Sequence, residues 1–372
     1  MNPAIPQLDP MPLPGPVWLL WGLLLLTFVI HLLPMNFVLG GSLMAAVARW
    51  RARGRTASHE ARLADWFAHA MPVVIAATVS PGVAALLFLQ VLYGRLFFAS
   101  SIVMGWFWLA VVLLVILAYY SAYLLAFKAA RPAAWQGPLA WTMWALFLAV
   151  GFIYTNNMTL MLRPAEIAAR YQADARGLQL NLNDLTVVPR FLHMLVGAVA
   201  LSGLVVTILG VVRRRREPEF GAWATSYGAL WFLVATGLNV IAGLAWFGTL
   251  PRETMQRFMG GDAFVTGVFG AGIIAGLAAM GLMVLTAMSK RPAGPAAGGV
   301  AATLVTIVLM VLNRNHVRQA SLDAAGFAPA QWIAPQWGPI AIFAVLLVMA
   351  IACVVWMVAQ LAAAPKPEAG SR

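Results

Sequence analysis

Charge is scarce in this sequence. Asp, Glu, Lys and Arg make up 10% of the 372 residues and hydrophobic residues 62%, whereas soluble domains carry about a quarter charged residues. A water-facing surface cannot be built from that balance, so a soluble fold is excluded. Cysteine is scarcer still. Cys353 stands alone, which removes any disulfide or thiolate metal cluster, and its place in the last apolar run reads as a small buried side chain. The alternation that marks a membrane β-barrel is missing, as are a phosphate-binding loop, a dinucleotide fingerprint and a second domain. The proline-rich opening, residues 1–16, has no Lys or Arg. It lacks the positive start of a signal peptide, and the apolar run behind it is too long for one, so the first helix is expected to stay in the mature protein.

What is present is a succession of apolar runs, each long enough to cross a hydrocarbon core of ~30 Å, which takes about 20 helical residues. They predict one all-α integral domain, a polytopic bundle of about nine helices over 17–48, 64–93, 96–127, 135–157, 188–212, 220–249, 262–289, 296–315 and 332–362. The net charge of +12 does not point to nucleic acid, because the basic residues sit at helix ends and alternate from side to side. One side collects Arg49, Arg51, Arg53, Arg55 and Arg62, Lys128 and Arg131, Arg213 to Arg216, Lys290 and Arg291, and Lys366 and Arg372. The other holds fewer: Arg95, Arg163, Arg170, Arg176, Arg190, Arg252, Arg257, Arg314 and Arg318. The positive-inside rule then places the N-terminus outside and the C-terminus inside, with 366–372 a short cytoplasmic tail. The outer loops 163–189 and 312–335 are the richer ones; the first is expected to hold a short surface helix, and a docking partner is expected on that side.

Within the spans no Asp, Glu, Lys or Arg falls near the middle; Asp65, Arg95, Arg190, Asp262 and Arg314 lie near ends. A proton-driven transporter needs a buried relay of such groups, which lowers that reading. Histidine stands out instead. His31, His69, His193 and His316 lie in or at the edge of spans, and His59 lies in a basic inner loop, where it is expected to be solvated. Neutral imidazole ligates iron well, and a bundle can set side chains of facing helices around a flat macrocycle, which makes haem the natural candidate. The plainer alternative is a buried imidazole hydrogen-bonded to the next helix. Gly40, Gly41, Gly197 and Gly203 fit either a close macrocycle or close helix packing. Trp18, Trp21, Trp50, Trp332 and Trp337 fit an interfacial belt, and Pro34, Pro72 and Pro81 are expected to kink the first two helices.

Three stretches carry a family resemblance. TFVIHLLPMNFVLGG (27–41), PRFLHMLVGAVALSG (189–203) and the VRQ of Val317 to Gln319 resemble subunit I of the cytochrome bd-type quinol oxidases. ADWFAHAMPVVIAATVSPG (64–82) follows that family's second helix in length and in its final glycine. The resemblance covers 17–215, the haem-binding first half, and extends more loosely over the four further helices of 216–365. It implies that His31 and His193 are axial ligands of b-type haem, serving different haems. It also implies that a quinol supplies electrons. Arg190 and Arg318, near the outer haem level, are candidates to pair with haem propionates, with interfacial snorkelling as the plainer alternative. His316, at the same outer boundary as His193, is the candidate for a missing sixth ligand; His69 stands where the family has a basic residue.

The chain also departs from the family. SSIVMGWFWLAVVLLVILAYYSAYL (100–124) has no carboxylate where the family has acids for proton delivery, and Val308 stands near the expected glutamate ligand. The quinol loop shrinks to LPRETMQRFMGGD (250–262), and GVFGAGIIAG (267–276) lacks the ligating methionine segment. The expectation is therefore one or two haems b without a third high-spin or d-type haem. Electrons would pass from quinol to an acceptor, a second membrane subunit or a c-type cytochrome on the outer face, in a bacterial inner membrane. Any enzymatic activity would be quinol oxidation, with catalytic residues unassigned and oxygen reduction not expected. The competing class is a non-haem membrane protein: a transporter, or a structural subunit that kept the fold and lost the cofactor.

Overall fold

The structure, a computed structural model, describes residues 6, 11–53, 55, 57–127, 133–327 and 332–363. Lys128, Arg131, Lys366 and Arg372, which entered the charge count, lie outside the described residues. The described elements are helical: α1 (Val17–Arg51), α2 (His59–Val103), α3 (Gly105–Ala126), α4 (Ala133–Leu160), α5 (Pro164–Ala173), α6 (Val187–Arg213), α7 (Pro218–Gly248), α8 (Arg252–Gln256), α9 (Ala263–Met288), α10 (Ala293–Ala324) and α11 (Trp337–Ala363). A single π turn, Arg257–Gly261, links α8 to α9. Eight of these helices are long and apolar enough to cross a membrane, and α11 adds a shorter apolar stretch over Trp337–Cys353. The protein is a polytopic helix bundle.

Two ends can be distinguished. At the entry end, where the chain begins α1, Leu13 pairs with Trp332 and Ala334 ahead of α11 through N–H to carbonyl bonds of 2.9 and 3.0 Å. The α2–α3 junction meets the loop after α5 at the same end, with Trp106 N–H bonded to the Gly177 carbonyl at 3.1 Å. At the opposite end Arg49 pairs with Asp65 at 3.0 Å, and Arg62 and Arg213 both pair with Glu217, so the α1–α2 and α6–α7 turns are tied together.

The tightest pairings are α6 on α7 and α1 on α2, with α1 lying against α6. Small residues make these approaches possible, as association in lipid requires. A methyl at Gly203 would lie 2.8 Å from the Gly228 carbonyl oxygen, and one at Gly40 would run into the Ala198 carbonyl. Gly40 and Gly203 therefore serve helix packing. A core of Phe37, Met44, Phe67, Met71 and Met143 fills the half of the bundle toward the opposite end.

Several expectations are corrected. The second helix does not stop near residue 93 but continues to Val103, and the third begins at Gly105; Ser100 and Ser101 bond back to the Phe97 carbonyl at 2.9 and 2.7 Å, so the extra turns stay helical. Within α2 the residue outside helical backbone geometry is Tyr93 (φ −131°, ψ 23°). The eighth span runs on to Ala324, which puts His316 inside a helix. Cys353 is exposed, one of the many apolar side chains that α11 turns outward. His59 is half-buried against Phe220 and Trp223, its ring centroid 5.4 Å from that of Trp223, because it opens α2 beside α7. The surface helix expected in 163–189 is present as α5. Trp18, Trp50, Trp332 and Trp337 are exposed near helix ends, and Trp21 packs partly into the core.

Candidate functional site

His31 and His193 occupy equivalent places in two helical hairpins. In the first, His31 of α1 hydrogen-bonds through Nδ1 to the Thr78 carbonyl of α2 at 2.9 Å. In the second, His193 of α6 does the same to the Asn239 carbonyl of α7 at 3.2 Å. A glycine one helical turn beyond each carbonyl makes room for the ring. A methyl at Gly82 would lie 2.6 Å from His31 Cε1, and one at Gly243 would lie 3.1 Å from the His193 ring. A carbonyl can only accept, so Nδ1 carries the proton in both and Nε2 keeps the free lone pair. This is the arrangement that metal-ligating histidines adopt.

The two imidazoles also lie in the same half of the bundle. Helices α1 and α6 run from the entry end, and they meet where a methyl at Gly40 would run into the Ala198 carbonyl and lie 2.7 Å from Ser202 Oγ. His31 precedes Gly40 and His193 precedes this contact, so a rise of about 1.5 Å per residue sets them within about one turn of each other.

One turn nearer the entry end lies a group of arginines. Arg190, one turn before His193 on α6, is buried; its guanidinium carbon lies 5.7 Å from the Trp246 ring centroid, and Nη1 donates to Thr159 Oγ1 at 3.2 Å. Trp246 also packs on His193, with ring centroids 5.7 Å apart. Arg314 of α10 stands over Phe28, one turn before His31 on α1, at 4.4 Å. Arg318, the next residue on that face of α10, is buried over Tyr93 at 4.9 Å and donates to Asn315 Oδ1. Gln319 fixes the same tyrosine by donating to its hydroxyl at 2.7 Å.

Arg190, Arg314 and Arg318 lie within electrostatic reach of one another. Among the described residues none of the three forms an ion pair, and the Nε atoms of Arg314 and Arg318 are buried without a hydrogen-bond partner, as are both amide atoms of Asn313. Three like charges and orphaned donors gathered inside an apolar bundle are costly unless an anion joins them. Arg314 was the member that sequence reasoning missed. Its signal was the four-residue spacing to Arg318, which puts both on one helical face.

The remaining histidines fall elsewhere. His316 lies about 200° round the helix from Arg314, at 3.6 residues per turn, and its ring packs edge-on to Phe264 at 5.7 Å. His69 is exposed and bonds at 2.8 Å to the Asp65 carbonyl of its own helix.

No family model matches the chain, and no curated protein matches it. A search of solved structures does find a match: the bd oxidase from Geobacillus thermodenitrificans, with a TM-score of 0.70 at 13% identity, covering 95% of this chain and 100% of that one. The fold is that of a bd oxidase. At this identity the likeness is one of fold, and the chemistry rests on the residues just described.

Above the arginines, the loop between α5 and α6 is rigidly built on this bd-like frame. The fully buried Asp184 carboxylate accepts from Arg163 Nε at 2.7 Å and from the Thr186 N–H and hydroxyl at 2.9 and 2.7 Å. Arg170 donates to Asn181 at 2.9 Å, and the Asn181 N–H bonds Asn156 of α4. At the loop's edge, side-chain and backbone hydrogen bonds from Arg176 hold the Asp174 carboxyl below its ordinary pKa.

Proposed function

We propose that this chain binds b-type haem at its two histidine-bearing hairpins, His31 and His193 serving different haems, and carries electrons within the entry-end half of the membrane. The observation that supports it is the joint placement of His31 and His193, each with Nδ1 bound to a carbonyl, one turn from buried Arg190 and Arg318 and half-buried Arg314. The donor set suits the group. Neutral Nε2 atoms would hold haem iron, and Arg190, Arg314 and Arg318 would offer charge-assisted bonds to haem propionates. Bound haem supplies a one-electron carrier. The protein's own contribution is to fix the imidazole tautomers, keep water out with the Phe28, Tyr93 and Trp246 rings, and bias the site electrostatically with its arginines.

His316, the candidate for a sixth ligand, lies on the α9 side of α10 against Phe264 and would hold iron only at a site apart from the arginine cluster. With more basic residues at the opposite end, that end is read as cytoplasmic and the entry end as outer, in a bacterial inner membrane. A quinol is the proposed electron donor. The acceptor is a second membrane subunit or a c-type cytochrome docked outside. Oxygen reduction is not assigned, because 100–124 lacks the carboxylates that proton delivery through α3 would use and moving a charge there costs at least ~2.5–3.5 kcal/mol.

Purified protein mixed with a reduced quinol tests the reading. Appearance of a reduced b-type α-band with little oxygen uptake is expected. Quinol oxidation with oxygen uptake of tens of turnovers per second by the chain alone would contradict the relay role. Failure of any quinol to reduce bound haem would remove quinol as donor.

A further inference from the structure

A groove of about 630 Å³ opens at the entry end between the last turns of α2, the first turns of α3 and the loop after α5. It is separate from the histidine site. Its upper wall is cationic, with Arg95 and Arg176, although Arg176 is also held by Asp174 through two 2.9 Å bonds. Gly105 and Trp106 at the start of α3 line the groove as well, with the Trp106 N–H already bonded to the Gly177 carbonyl. Its lower wall is apolar: Phe98, Leu109 and Val112. Leu109 and Val112 are 66% and 63% exposed, and the strip continues down α3 through Leu113 and Ile116. Trp106, 61% exposed at the boundary between the two walls, marks the depth at which a bilayer passes from headgroups to acyl chains.

We infer that this groove is a binding site for an anionic phospholipid. The phosphodiester sits against Arg95, and one acyl chain lies along Phe98, Leu109 and Val112. Charge complementarity selects an anionic headgroup over a zwitterionic one, and continuity with the outward apolar strip of α3 selects a lipid over a free anion. A quinol fits less well, because the lining contains no His, Asp or Glu to take a hydroxyl proton.

Native mass spectrometry of the full-length protein, released from detergent with equimolar phosphatidylglycerol and phosphatidylcholine of identical chains, tests this. Wild type is expected to retain phosphatidylglycerol preferentially. Arg95→Gln should cut that preference roughly five-fold, the effect of about one basic residue at an anionic surface. Val112→Trp, on an outward-facing position that leaves the charge intact, should lower retention of both lipids by filling the chain-binding wall. Circular dichroism checks that each variant keeps wild-type helix content; if Arg95→Gln does not fold, the wild-type competition and Val112→Trp decide. Equal retention of the two lipids by wild type would overturn the proposal, as would an unchanged preference in folded Arg95→Gln or displacement of the lipid by a short-chain quinol.

Discussion

His193 reaches across from α6 to the carbonyl oxygen of Asn239 in α7, 3.2 Å from its Nδ1, and Gly243 leaves the space that lets it do so. The His31–Thr78 contact repeats the device with Gly82. Each glycine can therefore be tested apart from the histidine it serves. Gly243→Val should displace the His193 ring and weaken or abolish the haem signal assigned to that residue, while leaving the His31 signal in place. Gly82→Val should do the converse, and more severely, because its added carbon would lie 2.6 Å from the ring. Absorption and EPR spectra of both variants decide the matter; two unaffected spectra would mean that neither ring position matters.

The arginine cluster gives a prediction of opposite sign in the presence and absence of haem. With haem bound, Arg314→Gln removes a positive charge that favours the extra electron. The midpoint potential should fall by on the order of tens of millivolts, the scale of one nearby charge in a medium of intermediate dielectric. In haem-depleted protein the same change relieves repulsion from Arg190 and Arg318, so the melting temperature should rise or stay level. Potentiometric titration and a melt of the depleted protein read the two effects; an unchanged potential would place the cluster away from any haem.

Much of this was legible in the sequence because apolar runs of membrane length have one structural solution. The bundle, the surface helix in 163–189 and the candidate histidines follow from it. Helix ends were less legible. Arg314 and Arg318 lie in N-R-N-H-V-R-Q, 313–319, where falling hydropathy imitates a helix end. The helix instead continues to Ala324, because Arg318 and Gln319 find Tyr93 on α2. That partner is a tertiary fact, as are the carbonyls of Thr78 and Asn239. No local pattern announces which carbonyl a neighbouring helix will offer, and Gly82 and Gly243 carry meaning only once the register is known.

The loop lock around Asp184 should be worth measuring separately from the haem site. Asp184→Ala leaves the Thr186 N–H and hydroxyl without their acceptor and Arg163 with Glu166 as its remaining carboxylate. Breaking a buried pair costs about 3–5 kcal/mol, reduced here to about 2 kcal/mol because Arg163 is 41% exposed. Hydrogen exchange over 174–186 should accelerate strongly, with the transmembrane helices unaffected. Exchange at the wild-type rate would show that the loop is held by other contacts.

Orientation can be read with thiol chemistry. In a Cys353→Ser background, Arg176→Cys at the entry end and Arg215→Cys at the opposite end carry single reporters. A membrane-impermeant maleimide added to intact spheroplasts should label the first and spare the second; the reverse pattern would invert the assignment of outer and cytoplasmic faces.

The most direct measurement is haem content. Purified wild type should give a pyridine haemochrome of at least one haem b per chain and a b-type α-band in the reduced-minus-oxidised spectrum. His193→Ala and His31→Ala should each remove a separate part of that signal, and loss of the same single haem in both would mean that the two residues share one site. A colourless wild-type preparation from haem-replete cells would contradict the haem reading outright.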